Sequence, residues 1–401
     1  MGHMTTVLQE NLTGMKVVKA FGAEHHEESK FQIRAENVYN QIYAVERIRS
    51  SNAAIMQVIF WASTGVILWL GGRVVVEGRL TAGELAQFIL YASLLVQPVR
   101  MLGQMVSTFT RAMGSGERIF EILDKTSPVE ESKTARPLST VTGKVEFRDV
   151  SFTYSGEPSL SKLTLDVDPG QVVAILGPPG SGKTTMANLI ARFYDVTEGQ
   201  ILIDGTDIRT VTLNSLRSAV GIVQQDVFLF STTIAQNIAY GHPEATEQDI
   251  VNAAKIAQIH EEITEFPDGY QTMVGERGVT LSGGQRQRLS IARTLITNPP
   301  ILIFDDSTSS VDAHTESLIQ TSMFEITKGR TTFIIAHRLT ATKLADLVIV
   351  LDHGHLSQIG TPTELIAREG FYKHTAELQH SIMPRNGTVN DSSETSRKDL
   401  F

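Results

Sequence analysis

The sequence predicts an α/β domain preceded by an all-α segment that crosses a membrane. Three observations predict it. The run from Ser50 to Gly72 contains no Asp, Glu, Lys, Arg or His. From Gly143 to about Leu378, apolar β-branched runs alternate with helix-like stretches, the texture of an α/β domain. Inside that region a strand, a glycine-rich loop and a helix follow one another between Gln171 and Ile190.

Bulk properties narrow the partners. The chain has 401 residues, room for two or three domains. Its net charge of −9 gives nucleic-acid binding no electrostatic support. It has no cysteine, which excludes disulfides, thiolate metal sites and cysteine nucleophiles. The first residues are polar and mixed in charge, without the apolar run of a secretory signal.

Residues 1–48 read as a charged helical extension. Leu8, Leu12 and Met15 share one helix face, and Gly14 and Gly22 interrupt it. The uncharged run then supplies the roughly 20 residues that span a hydrocarbon core of about 30 Å. Arg47 and Arg49 flank its start and Trp69 lies near its far end, where interfacial aromatics sit. A buried helix of a large soluble core is the alternative, and so long an uncharged run is unusual for one. A second apolar run from Leu85 to Val99 is broken by Pro98 and Arg100 and resumes from Met101 to Thr110. The pair reads as a hairpin with spans at about 50–72 and 85–110. Arg47, Arg49, Arg100 and Arg111 then share the cytoplasmic side. Residues 124–142, with Pro128 and Pro137, read as a linker, and 379–401 as a disordered tail.

The run Gly177-Pro178-Pro179-Gly180-Ser181-Gly182-Lys183-Thr184, continued by Thr185, reads as a phosphate-gripping loop. Glycines let several amides face one anion at a helix N-terminus, which carries partial positive charge. Lys183 reaches the β- and γ-phosphates of ATP and the Thr184 hydroxyl ligates Mg²⁺. Pro178 and Pro179 each remove an amide donor, so the grip falls to the residues after them. The apolar strand Ile301 to Phe304 ends in Asp305 and Asp306, and Asp305 completes the Mg²⁺ site. A third motif, Leu281-Ser282-Gly283-Gly284-Gln285, opens another helix: Ser282 is a natural N-cap and the glycines expose amides to a second anion.

Leu281 to Gln285 resembles the signature sequence of ATP-binding-cassette (ABC) proteins. The resemblance implies a P-loop core plus a helical subdomain over 143–378, preceded by a partial transmembrane domain over 49–123. It implies that Tyr154 stacks on adenine and that Gln225 contacts Mg²⁺ and senses the membrane domain. Ser309 to Asp312 resembles the loop written S-A-L-D, and His337 the switch histidine near the γ-phosphate. Thr13 to Phe21 resembles the second coupling segment of exporter-type members, and Gly78 to Glu84 the outer loop between their fifth and sixth membrane helices. The family implies a head-to-tail dimer, with each ATP between Lys183 of one subunit and Ser282, Gly283, Gly284 and Gln285 of the other.

Three departures qualify this. Two membrane helices are offered where exporters carry six, which reads as a fragment or a truncated reading frame. Asp306 stands where hydrolytically active members have Glu, one methylene longer, to polarise the attacking water. That resembles the slow half of heterodimeric exporters, so a heterodimer is expected over a homodimer, although Asp306 could also work through a small backbone shift. Met273 stands where the family often has Glu. The expected function is the ATP-binding, ATP-hydrolysing subunit of an exporter with an unknown substrate. A regulatory ATP-binding subunit and a soluble ABC ATPase are the alternatives. AAA+ ATPases share a Gly-Pro-Pro-Gly-type loop, and Leu281 to Gln285 sets them aside.

Overall fold

In the first unit, Met1–Lys125, the breaks between helices fall at Gly14, Gly22 and Gly78, whereas glycines such as Gly65 and Gly103 stay inside helices. The computed structural model describes residues 2–154, 156–275, 278, 280–305, 322–336 and 339–382. Helix α1 (Gly2–Thr13) stops at Gly14, and α2 (Met15–Ala20) stops before Gly22, which sits at φ +59. There Gly22 N donates to Lys19 O and Ala23 N to Val18 O at 3.3 and 3.0 Å. This is a Schellman closure, and its left-handed residue favours glycine.

Helix α3 (Glu24–Val76) then runs for 53 residues and α4 (Ala82–Leu123) for 42. At 1.5 Å per residue they measure about 80 and 63 Å, each well beyond the roughly 30 Å of a hydrocarbon core. The uncharged run is therefore one part of a longer helix: no proline separates it from the charged residues before it, and Ser50, Ser51 and Asn52 at the junction stay helical despite being cap-forming types. Pro98 lies inside α4 without ending it. Only the apolar run breaks there, and membrane helices tolerate the lost amide. The turn between the helices is shorter than the polar stretch suggests, because α3 continues to Val76 and α4 starts at Ala82. Thr81 caps α4: its hydroxyl accepts from Glu84 N at 3.2 Å and its amide donates to Glu84 Oε2 at 2.8 Å. The helices approach where a Cβ on Gly71 would overlap Leu85. Both have large apolar side chains on their surfaces, Trp61 and Phe109 being 63% and 67% exposed. Apolar surface on that scale suits lipid and not water.

The second unit, Thr126–Phe401, has two sheets. Strands β1 (Val145–Thr153), β2 (Pro158–Val167), β4 (Glu198–Ile203) and β5 (Thr206–Asp207) form an antiparallel sheet in the order β2-β1-β4-β5. The second sheet contains β3 (Val172–Leu176), β6 (Val220–Val223), β7 (Ile301–Asp305), β8 (Thr331–Ile335), β9 (Leu347–Asp352) and β10 (His355–Gly360). Its order is β10-β9-β3-β8-β7-β6, parallel except at the β10 edge.

β3 and β7 are buried along their whole length. Val173 and Ile175 face a core shared with Phe147, Leu165 and Met186, whereas Ala174 and Leu176 face one shared with Leu289, Ala292 and Ile250. Two covered faces explain why these strands read as continuous apolar runs without alternation. The second core is closed by helices inserted between β6 and β7: α7 (Ile234–Ile238), α8 (Glu247–Ile256), α9 (His260–Glu265) and α10 (Gly283–Leu295). The first holds α5 (Lys183–Ile190) and α6 (Leu213–Ala219).

The stretch expected to be a linker is attached to the second unit. Asp204 accepts from the amides of Thr142, Gly143 and Lys144 and from the Thr142 hydroxyl, at 2.5–3.3 Å. Arg192, 2% exposed, donates to Glu130 O at 2.9 Å, and Leu138 N donates to Ser215 Oγ at 2.9 Å.

Candidate nucleotide-binding site

The phosphate loop leaves the carboxyl end of β3, beside the ends of β8 and β9, where open parallel sheets place ligands. Two glycines are required by its path. Gly177, at φ +145, passes so close to the Leu351 carbonyl that a Cβ would overlap it. Gly182, at φ +100, is the N-cap of α5, and a Cβ there would lie 2.5 Å from Ser159 O and 2.8 Å from Leu160 Cδ2. The loop is braced from outside as well. His353 and Gly354 make the left-handed turn between β9 and β10, and Gly354 N donates to Ser181 O at 3.2 Å.

The loop's donors suit an anion. Met186 N donates to Gly182 O at 2.9 Å, the first bond of α5; the preceding amides of a helix have no intrahelical acceptor and carry partial positive charge. Lys183 is 6% exposed, and its Nζ donates to Gly177 O at 3.0 Å and Pro178 O at 2.8 Å. The ammonium is thereby held against the first two carbonyls of the loop. Ser181 Oγ is buried and has no hydrogen-bond partner among the described residues. A buried hydroxyl without a partner costs about 1–3 kcal/mol, and an anion in the loop would satisfy it. Thr185 is buried in the first turn of α5.

Two strands apart in the sheet, Asp305 ends β7 and is 8% exposed. The Thr184 hydroxyl donates to its Oδ1 at 3.2 Å. One hydroxyl and one carboxylate, joined by phosphate oxygens and water, form the hard oxygen set that Mg²⁺ prefers. The residues present therefore fit the cation. No cluster of three or more His, Asp or Glu among the described residues offers another metal site.

Ser282 is the N-cap of α10 in a full capping box. Its hydroxyl accepts from Gln285 N at 3.2 Å, and Ser282 N donates to Gln285 Oε1 at 2.9 Å. Gly283 and Gly284 form the first turn. Glu262 on α9 holds this end in place. It accepts from Gln285 Nε2 at 3.0 Å and from Arg288 Nη2 at 2.5 Å, while Arg288 Nη1 donates to Gln258 O at 2.6 Å. The side-chain hydrogen bonds of Ser282 and Gln285 run to one another and to Glu262, on the helical side of the second core. Glu262 was not singled out by the sequence; its signal is the pair of contacts with Gln285 and Arg288, 23 and 26 residues away.

Tyr154 directly follows β1 and is 48% exposed. Gln225 lies exposed just after β6, next to β7 in the sheet. Met273 is 58% exposed and bridges Thr233. Asp306, Ser309 to Asp312 and His337 lie outside the described residues.

Comparison with known proteins agrees with this geometry. A family described as "ABC transporter" matches residues 160–309, and one described as "ABC transporter transmembrane region" matches residues 1–99. The chain is 41% identical over 375 residues to the putative multidrug export ATP-binding/permease protein YgaD of Bacillus subtilis, covering 93% of this chain and 65% of that protein. It is 40% identical over 379 residues to the ATP-dependent lipid A-core flippase of Syntrophus aciditrophicus, covering 94% of this chain and 63% of that one. The chain thus spans a little under two thirds of these relatives. A solved bacterial Atm1-family ABC exporter with ATP bound superposes with a TM-score of 0.83 at 38% identity, covering 94% of this chain and 67% of that one. The chain belongs to the ABC transporter family, as a membrane-embedded, exporter-type member that fuses a transmembrane region to a cytoplasmic ATP-binding domain.

Proposed function

We propose that the chain is the ATP-binding and ATP-hydrolysing subunit of an exporter, and that Gly177 to Thr185 is its nucleotide grip. The observation that carries this is the convergence of Lys183, Thr184 and Asp305: a cation held against the loop, and a hydroxyl 3.2 Å from a carboxylate that ends β7, two strands away. Lys183 neutralises the β- and γ-phosphates, and Ser181 and the first amides of α5 hold the phosphate oxygens. Thr184, Asp305 and Gln225 hold Mg²⁺, which withdraws charge from the phosphates when bound. Tyr154 stacks on the base.

A second helix start that presents amides, capped by Ser282 and opened by Gly283 and Gly284, supports a dimer. In a head-to-tail pair the capped start of α10 faces the partner's γ-phosphate, and each ATP lies between two subunits. Closure of the pair then moves the coupling segment Thr13 to Phe21. Two membrane helices do not enclose a path across a bilayer, so transport belongs to an assembly with more helices than α3 and α4. Multidrug export is the role named for the Bacillus subtilis relative, and lipid A-core flipping the role named for the Syntrophus aciditrophicus one.

Hydrolysis requires a base at the water that attacks the γ-phosphorus while the bond to the bridging oxygen breaks, with His337 near the γ-phosphate. Asp306 stands at the base's position with a side chain one methylene shorter than Glu. A base contributes about 10²–10⁴-fold when it is within roughly 2.6–3.2 Å of the water. We therefore assign this chain the slow site of a heterodimer. The second reading, a regulatory subunit with negligible hydrolysis, is favoured by the same residue. Asp306→Glu should raise turnover in the assembled complex, and unchanged turnover would remove the slow-site assignment. ATPase assays of the chain alone and mixed with a Glu-bearing half-transporter distinguish the homodimer from the heterodimer.

A further inference from the structure

We infer that Tyr194 is a positioning residue for the nucleotide: it fixes the Tyr154 ring against the base without touching the phosphates. This rests on reading Gly177 to Thr185 as the ATP site.

The inference begins at the end of α5. Arg192 N donates to Leu189 O at 3.0 Å and Phe193 N to Asn188 O at 2.9 Å, a Schellman closure of the phosphate-loop helix. The left-handed position of that motif favours glycine, yet here it holds Arg192 at φ +52. The side chain compensates for the strain. Arg192 Nε pairs with Asp195 Oδ1 at 2.6 Å, and its terminal nitrogens donate to Ile208 O at 3.3 Å and Glu130 O at 2.9 Å. The turn is thus fixed, and it directs Phe193 and Tyr194 out of the helix line.

The chain that follows is attached to the end of β1. Thr197 N donates to Ser151 O at 2.9 Å, and Thr153 N donates to Thr197 Oγ1 at 3.3 Å. Between the two anchors Tyr194 meets Tyr154, with centroids 5.0 Å apart and planes at 86°. Phe152, 5% exposed, meets Tyr154 at 4.7 Å and 88°, and Tyr194 at 5.5 Å. Neither neighbour stacks flat on Tyr154. A parallel neighbour would occupy a face that a purine needs, whereas edge contacts fix the ring's tilt. Phe152 is buried and part of the core, so Tyr194, 37% exposed, is the member that can be changed without opening the interior. It also makes a mechanical link: the ring that meets the base is fastened to the helix that meets the phosphates.

The test uses the full chain in detergent with Mg²⁺ and two probes, ATP and inorganic tripolyphosphate, read by competition. Tyr194→Ala should weaken ATP binding about three- to tenfold, the size of one aromatic pair contact, and leave tripolyphosphate unchanged. Tyr194→Phe should retain both. Tyr194→Leu keeps apolar volume, should reproduce the selective loss, and serves if the alanine variant does not fold. Unchanged ATP binding in the Ala and Leu variants, or an equal loss for both probes, overturns the inference. Failure of the underlying site has a different signature: wild type that binds no ATP, or Lys183→Ala that binds it normally.

Discussion

The Thr184 hydroxyl donates to Asp305 Oδ1 at 3.2 Å, joining two residues 121 positions apart in sequence. One opens the helix after β3 and the other ends β7, with β8 between them. Asp305→Asn keeps the shape and removes the charge. It should leave nucleotide binding without Mg²⁺ unchanged, abolish the gain that Mg²⁺ gives, and lower hydrolysis at least tenfold. Nucleotide titrations with and without Mg²⁺ read this directly; an unchanged Mg²⁺ dependence would remove Asp305 from the metal site.

Gly182 cannot accept a side chain without movement of Ser159 and Leu160, and its φ of +100 is strained for any other residue. Gly182→Ala should destabilise the ATP-binding domain by about 1–3 kcal/mol. It should also weaken nucleotide binding, because the start of α5 must shift. Denaturant unfolding in detergent measures the first effect. A variant as stable as wild type would contradict the strain argument.

Glu262 is the anchor of the α10 N-terminus. Its partner Arg288 has a side chain only 4% exposed, whereas Glu262 is 34% exposed. Removing one member of a fully buried pair costs about 3–5 kcal/mol; with one end near solvent, about 2–3 kcal/mol is expected for Glu262→Ala. Hydrogen exchange at Gln285 to Arg288 should rise in the variant. Exchange at wild-type rates would show that the cap holds α10 unaided.

Asp204 links residues 142–144 to the second unit and supplies a pH dependence. Burial alone pushes its carboxyl up, but the Thr142 hydroxyl and the amides of Lys144, Thr142 and Gly143 outweigh burial and hold it below the usual value. A depressed native pKa stabilises the fold above the unfolded value of about 3.9 and is lost as pH falls through the native value. Asp204→Asn should therefore be less stable than wild type at pH 7, by roughly 1 kcal/mol for the weakened hydrogen bonds. The two melting curves should converge below about pH 4. A constant gap down to pH 3 would place the effect outside this carboxylate.

Much of the fold was legible because it is written locally. The buried runs of β3 and β7, the glycines at 14, 22, 177 and 182, and the capping pair Ser282 and Gln285 each sit within a few residues of what they determine. Helix lengths were less legible. No proline lies between Glu24 and Val76, and α3 runs through Ser50-Ser51-Asn52 and Gly71-Gly72, so the change from charged to uncharged residues marks a change of solvent and not of structure. The polar stretch 124–142 looked detached because its partners, Asp204, Arg192 and Ser215, lie about 60 to 80 residues further on. Tyr194 and Glu262 escaped for the same reason: the β1 edge and α10 give them meaning, and no local pattern marks either.

The most direct test of the central claim is equilibrium binding of ATP to the full chain in detergent, wild type against Lys183→Ala. The ammonium over Gly177 O and Pro178 O is the main charge offered to the phosphates. Wild type should bind ATP, and the variant should bind it at least tenfold more weakly while melting at the same temperature. Equal affinity in the two proteins, or no ATP binding by wild type, would contradict the account.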